Sequence, residues 1–197
     1  MKHTTFLPQN ISVSFEAITP EAYKQQAHGL LISYAVHQTA FGLCFIAVTA
    51  RGICQVSFLD TLDDAPQAVA SLQEQWEHAQ CKEDVAATKP LVDQIFSESG
   101  IGETKPFHLY VKGTNFQVKV WQALLTIPSG TLVSYEHVAH LIGQPTATRA
   151  VAHAIARNDV SVLIPCHRVI KKSGQIHAYR WGTARKKALI AHEAIGK

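Results

Sequence analysis

The sequence predicts an α+β fold: an α/β region over residues 1–112, then a mostly helical region over residues 113–197 that contains a helix-turn-helix. Three observations predict it. Strand-like apolar runs separated by turn residues fill the first region. Apolar residues at helical spacing dominate the second. The charge changes sign at the same place. Residues 1–112 hold seven Lys/Arg against twelve Asp/Glu, and residues 113–197 hold eleven against three, within a net charge of +3 for the whole chain. A basic unit of this kind points to a partner with a phosphate backbone.

In the first region, the opening thirty residues are weakly patterned, with Thr19-Pro20-Glu21 a turn or helix start. Leu30–Val36, Leu43–Val48 and Ile53–Leu59 read as strands of an antiparallel meander, punctuated by Gly42 and by Arg51-Gly52. Pro66, Val69, Leu72 and Trp76 recur at helical spacing, with Asp63 or Asp64 as the cap and Pro66 in the first turn. A second helix carries Leu91, Val92, Ile95 and Phe96 and ends at Ser99-Gly100-Ile101-Gly102. Phe107–Val111 is a further strand. No catalytic constellation appears in this region.

The second region opens at Lys112-Gly113. Thr114 with Gln117 three residues on forms a capping box, because each side chain can reach the other residue's free N–H. The helix it opens has Phe116, Val120, Trp121, Leu124 and Leu125 on one face and stops at Pro128-Ser129-Gly130. The extended piece Leu132-Val133-Ser134 leads to a short helix, Tyr135–Ile142, with Gly143 as its C-terminal cap. The next helix, Thr146–Arg157, turns Ala147, Ala150, Val151, Ala154 and Ile155 inward and presents Thr146, Arg149, His153 and Arg157. Helix, glycine turn, and helix with a small-residue face is the pattern of a helix-turn-helix. An ordinary helical hairpin shares it; the basic balance favours DNA.

The apolar run Val160–Ile164 reads as a buried strand that delivers Pro165-Cys166-His167-Arg168 and continues into Val169-Ile170. Lys171-Lys172-Ser173-Gly174 turns the chain, and the irregular segment 175–182 carries His177, Tyr179, Arg180 and Trp181. A last helix, capped by Thr183, places Leu189 and Ile190 inward and Glu193 near its end, while Arg185-Lys186-Lys187 reads as a solvated face. A lone cysteine is commonly structural, but such a cysteine has no need of His and Arg beside it. Those neighbours raise the thiolate fraction, and the thiolate is the nucleophile. His167 is the adjacent base, and Glu193, the only carboxylate after Asp159, is the candidate to orient it. Chemistry on a base within a duplex requires flipping that base out, and Arg149 is long enough to fill the gap. Cys44, Cys54 and Cys81 show no C-x-x-C pairing with one another or with Cys166 and read as reduced thiols. No apolar stretch is long enough to span a membrane. A cytoplasmic protein without metal is expected.

Residues 113–197 resemble the O6-alkylguanine-DNA alkyltransferases, the methylated-DNA–protein-cysteine methyltransferase family. The resemblance rests on Phe116-Gln117-x-x-Val120-Trp121, Val133-Ser134-Tyr135, Arg149-Ala150-Val151 and Asn158. It continues through Leu163-Ile164-Pro165-Cys166-His167-Arg168-Val169-Ile170, Tyr179-Arg180-Trp181-Gly182 and Ala191-His192-Glu193. Ile18-Thr19-Pro20, Tyr34-Ala35-Val36 and Phe41-Gly42 resemble the bacterial adaptive-response type. The resemblance implies a ribonuclease-H-like first domain and a winged-helix-like second domain, divided at 112/113. It implies single-turnover DNA repair, with Cys166 taking the alkyl group from guanine O6, His167 as base through a water, and Glu193 orienting it. Asn158 would be the hinge. Tyr135 would help turn the nucleotide out and protonate the leaving guanine. Arg149, Thr146 and Ala150 would meet the minor groove of double-stranded DNA. Pro165, Val169, Tyr179 and Arg180 would line the base pocket. No cofactor and a monomer are implied.

Two departures stand out. Asp159 occupies the place of the family's Pro after the hinge, putting a negative charge near the thiol. His177-Ala178 replace small pocket-rim residues, so methyl adducts are expected to react faster than benzyl ones. A non-catalytic lesion-binding relative would lack the acceptor cysteine. A transcription regulator of this type would carry a cysteine-ligated metal module, for which this chain has no cluster. A cysteine hydrolase needs an oxyanion hole and generally takes its histidine from elsewhere in the chain.

Overall fold

In the computed structural model, which describes residues 13–26, 29–96, 106–176 and 179–195, the first half is built on one six-stranded mixed sheet. Its strands are β1 (Val13–Ile18), β2 (Leu31–Thr39), β3 (Gly42–Thr49), β4 (Gly52–Leu59), β5 (Gln80–Glu83) and β6 (Phe107–Lys112). They lie in the order β1-β6-β4-β3-β2-β5. The expected meander is there: β2, β3 and β4 pair antiparallel. β1 and β5, which the sequence did not announce, join as parallel edge strands beside β6 and β2. β1 alternates as Val13-Ser14-Phe15-Glu16-Ala17, a signal the weakly patterned start of the chain concealed, whereas β5 has only Cys81 as an apolar residue and takes its place from β2. The β3–β4 turn requires Gly52. Its φ is +142°, and a Cβ there would lie 2.4 Å from the carbonyl oxygen of His108.

The sheet is covered on both faces; β3 alternates between them, and a register shift against β4 at Ala47/Val48 sets Cys54 on the face opposite Val56 and Phe58. Phe45, Ala47 and Cys54 face one side with Tyr23 of α1 (Pro20–Gln26) and Leu72 of α2 (Ala65–Gln75). Cys44, Ile46, Val56 and Phe58 face the other, against Val92 and Ile95 of α3 (Val85–Ile95). Asp64 holds the N-cap position of α2, but its carboxylate turns back to the N–H and hydroxyl of Thr61, so it closes a 3₁₀ turn at Leu62–Asp64 instead of capping the helix. The predicted stop at 99–102 lies outside the described residues.

The second half packs on the sheet face that also carries Val92 and Ile95. Its helices are α4 (Asn115–Leu125), α5 (Tyr135–Leu141), α6 (Thr148–Ala156) and α7 (Thr183–Ile195), with a two-stranded parallel pair, β7 (Val133–Ser134) and β8 (Val169–Ile170). The capping box forms as expected: Gln117 N–H donates to Thr114 Oγ1, and Thr114 N–H donates to Gln117 Oε1. Gly143, at φ +70°, ends α5 with the two bonds of a Schellman motif, Gly143 N–H to His140 O and Gln144 N–H to Ala139 O. The indole N–H of Trp121 donates to Ala154 O at 2.9 Å and pins α4 to α6. One apolar cluster runs without a break from the sheet through Val120, Leu124, Val151 and Ile155 to Cys166. Among the described residues no helix is long and apolar enough to cross a membrane.

Candidate active site

The segment that carries Cys166 is not the strand its apolar run suggested. Its sheet contact is a single parallel bridge, Val160 beside Val56 of β4, closed by Val56 N–H to Asp159 O and Ser161 N–H to Val56 O. Beyond it the chain folds on itself. Leu163 N–H donates to Ser161 O across Val162, whose φ is +67°. A γ-turn of this hand is rare, and a β-branched residue in it is strained. Cys166–Arg168 form a 3₁₀ turn leading into β8. A buried, unpaired backbone has to find hydrogen bonds elsewhere, and Asn158, just past α6 and 1% exposed, supplies them. Its Oδ1 accepts from Val160 N–H; its Nδ2 donates to Val160 O, Ile164 O and, at 3.2 Å, the sulfur of Cys166. Asn158 therefore holds both the main chain and the thiol.

Asp159 does not leave an unscreened charge beside that thiol. Its carboxylate accepts from Arg180 and from Gln75 of α2, and its carbonyl accepts from Val56 N–H at 2.9 Å. Asp159 thus anchors the chain beside Asn158 to the sheet and to α2.

Behind the thiol, Glu193 of α7 gathers donors: His167 Nε2 at 2.8 Å, Arg168 Nη2 at 2.8 Å, Arg168 Nε at 3.0 Å and Gly130 N–H at 3.0 Å. Burial would raise its pKa, but bonds from His167 and Arg168 prevail and hold it at about 2. Burial, against the opposing pull of Glu193, lowers that of His167. The pair at neutral pH is an ionised carboxylate and a neutral imidazole, with Arg168 as the counterion. A carboxylate only accepts, so the imidazole proton sits on Nε2, and Nδ1 keeps its lone pair. Nδ1 is buried and has no hydrogen-bond partner among the described residues.

Cys166 itself borders a cavity of about 300 Å³ together with Tyr135, Ala152, Tyr179, Trp181 and Lys186. Burial pushes the thiol pKa up; the Asn158 amide, the Lys186 ammonium and the Tyr179 hydroxyl pull it down. Tyr135, capped into place at the first position of α5 by Ser134, has its own pKa raised by burial and by the thiol. Among the described residues no group of three or more His, Cys, Asp or Glu could hold a metal ion.

Thus Cys166, His167, Glu193, Asn158, Tyr135, Tyr179 and Arg180 converge. Pro165 and Val169 do not: both are buried beside the thiol but are not part of the cavity wall. Val169 acts through its carbonyl, which accepts from Lys186 Nζ at 2.6 Å. Thr146, Arg149 and Ala150 are exposed. Ala150 therefore leaves the inward face assigned to it; the buried stripe is Val151, Ala154 and Ile155, and Ala150 sits at its edge. His177 and Ala178 lie outside the described residues. The residue missed was Lys186, which is 1% exposed and not on a solvated face. Its signal was present: 186, 189, 190 and 193 share a helical face, so a residue aligned with Leu189 and Glu193 had to point inward.

A family model described as the 6-O-methylguanine DNA methyltransferase DNA binding domain matches residues 115–195. The bifunctional transcriptional activator/DNA repair enzyme Ada of Escherichia coli is 37% identical over 178 residues, 90% of this chain and 49% of the relative. The chain thus spans about half the length of that relative. A methylated-DNA–protein-cysteine methyltransferase of Mycobacterium bovis is 44% identical over 112 residues, 56% of this chain and 67% of the relative. The crystal structure of Mycobacterium tuberculosis O6-methylguanine methyltransferase superposes with a TM-score of 0.65 at 30% identity, covering 83% of this chain and 93% of the other.

Proposed function

Since the chain belongs to the O6-methylguanine-DNA methyltransferase family, we propose that Cys166 accepts the methyl group of O6-methylguanine in DNA. The observation that carries this reading is a thiol in the wall of a base-sized cavity, held by Asn158 and backed by the His167–Glu193 pair. The same thiol separates the reading from a non-catalytic lesion-binding protein.

The sulfur attacks the methyl carbon in one displacement. An S–C bond forms as the C–O bond breaks, and guanine keeps the electron pair. The thiol proton leaves through a water to Nδ1 of His167, whose lone pair is held ready by the Nε2–H bond to Glu193. The Tyr135 hydroxyl, which borders the cavity, donates a proton to the leaving guanine. The overall exchange moves a methyl group to sulfur and a proton to the base. A thioether is not reversed under these conditions, so each molecule acts once. No cofactor takes part.

The double-stranded DNA partner docks on α6. Exposed Thr146 and Ala150 approach the minor groove, and Arg149 enters the stack vacated by the flipped nucleotide. The fold divides at 112/113 into a ribonuclease-H-like domain and a winged-helix-like domain, and the protein acts as a cytoplasmic monomer. Incubation with a duplex containing O6-methylguanine, followed by intact-mass measurement, tests the reading. One added methyl, mapped to Cys166 and lost in Cys166→Ala, is expected; an unchanged mass refutes it.

A further inference from the structure

Ser161 lies in the apolar run before the acceptor, where a hydroxyl has no packing reason to be. It is fully buried. Its Oγ is 2.8 Å from the hydroxyl of Tyr179, and Tyr179 shares the cavity wall with Cys166. Its main chain has no freedom: Ser161 N–H donates to Val56 O at 2.7 Å, and Ser161 O accepts from Leu163 across the strained Val162. The sheet therefore sets where this hydroxyl stands.

Two hydroxyl protons meet at one short bond, and burial decides which is donated. Among the described residues, Tyr179 is the one partner of Ser161 Oγ. If Tyr179 donated, the serine proton would be buried without an acceptor, a loss of about 1–3 kcal/mol for a neutral group. If Ser161 donates, its proton is used and the phenolic proton is free to face the cavity.

We propose that Ser161 is a positioning residue for the acceptor: its hydroxyl donates to Tyr179 Oη and so directs the Tyr179 proton onto the sulfur of Cys166. The chain Val56, Ser161, Tyr179, Cys166 then carries the position of the sheet to the thiol. The direction of the effect agrees with the physical setting, in which burial raises the thiol and the Tyr179 hydroxyl is among the groups that lower it. The other charged or titratable groups around the sulfur are Tyr135 of α5, Arg180 beside Tyr179, Lys186 of α7, and His167 with Glu193 and Arg168 behind. Among the described residues none of these hydrogen-bonds to the Ser161 hydroxyl, so its removal reads out through Tyr179.

The inference rests on Cys166 being the reactive thiol, as in the reading above, and its test does not need DNA. The full chain is treated with iodoacetamide from neutral to alkaline pH, and modification of Cys166 is followed by peptide mass. Ser161→Ala is expected to slow the reaction about fivefold at neutral pH, where thiolate is scarce, with the profiles converging at high pH. In a Tyr179→Phe background, Ser161→Ala should add no further slowing. Ser161→Thr, which keeps the hydroxyl, should restore the wild-type profile and covers the case of an unstable alanine variant. Slowing that is uniform across pH, or that persists in the Tyr179→Phe background, overturns the inference. If the wild type takes no methyl group from the duplex while this cycle holds, the proposed function falls and the role of Ser161 stands.

Discussion

Replacing Glu193 with Gln tests the charge arrangement behind the thiol. Glutamine has the shape of the protonated carboxyl, so the substitution removes what ionisation contributes and little else. The pKa of Glu193 falls from 4.5 for the free side chain to about 2 in the fold, because bonds from His167 and Arg168 outweigh the opposing effect of burial. A folded-state pKa below the unfolded one stabilises the protein above the unfolded value, and the gain is lost as pH falls toward the folded value. The gap corresponds to roughly 3 kcal/mol at pH 7. In the wild type, linkage takes away about 1 kcal/mol of this by pH 4 and about 2 kcal/mol by pH 3. Urea unfolding of both proteins at pH 7, 5, 4 and 3 measures it. The variant should be about 3 kcal/mol less stable at pH 7, with the difference shrinking below pH 5. His167, whose pKa is lowered by burial against the pull of Glu193, destabilises both proteins as pH drops below about 6.5; the variant lacks that pull, so His167 offsets part of the shrinkage. Parallel pH curves, or a difference under about 1 kcal/mol at pH 7, would refute the ionised-carboxylate, neutral-imidazole arrangement.

Other substitutions separate chemistry, DNA binding and folding. Tyr135→Phe should slow methyl transfer from the duplex by about 10²-fold, as loss of a proton donor does, while iodoacetamide still modifies Cys166 at a similar rate; equal slowing of both reactions would assign Tyr135 to the thiol instead. Arg149→Ala should weaken binding to lesion and undamaged duplex alike and slow transfer further at subsaturating DNA, measured by fluorescence anisotropy and mass; unchanged affinity and transfer would remove Arg149 from the interface. Gly52→Ala should cost about 2 kcal/mol or more, because the added Cβ meets the His108 carbonyl at 2.4 Å and the φ of +142° disfavours any side chain. A change within about 0.5 kcal/mol in urea unfolding would show that the turn can relax.

The elements most legible in the sequence were those whose own residues close their hydrogen bonds. The Thr114–Gln117 capping box, the Gly143 cap and the β2–β4 meander all formed where the pattern put them. Of the sheet's edges, β5 was not legible because it has only Cys81 as an apolar residue and takes its conformation from β2, whereas β1 has a five-residue alternation too short to stand out from the opening thirty residues. Helix periodicity turns Leu189 and Ile190 inward, and Lys186 belongs to the same face, but a run of three cations reads as solvated until that face is traced.

The sequence alone determined that one thiol, Cys166, stands beside an imidazole and a guanidinium, in a basic region with a helical pair ahead of it. Those are properties of neighbours along the chain. Only the tertiary structure decided how the thiol is held. An apolar run looks like a strand wherever it occurs, and whether it becomes one depends on a partner. Here β4 offers one bridge, at Val160, in which Val56 N–H donates to Asp159 O and Val56 O accepts from Ser161 N–H. The remaining backbone is bonded by Asn158, turned by a strained Val162, and aimed past Ser161 and Tyr179 into a cavity that Lys186 closes from another helix. Burial of that backbone, with its demand that every polar group find a partner, is what converts a reactive sequence into a positioned acceptor.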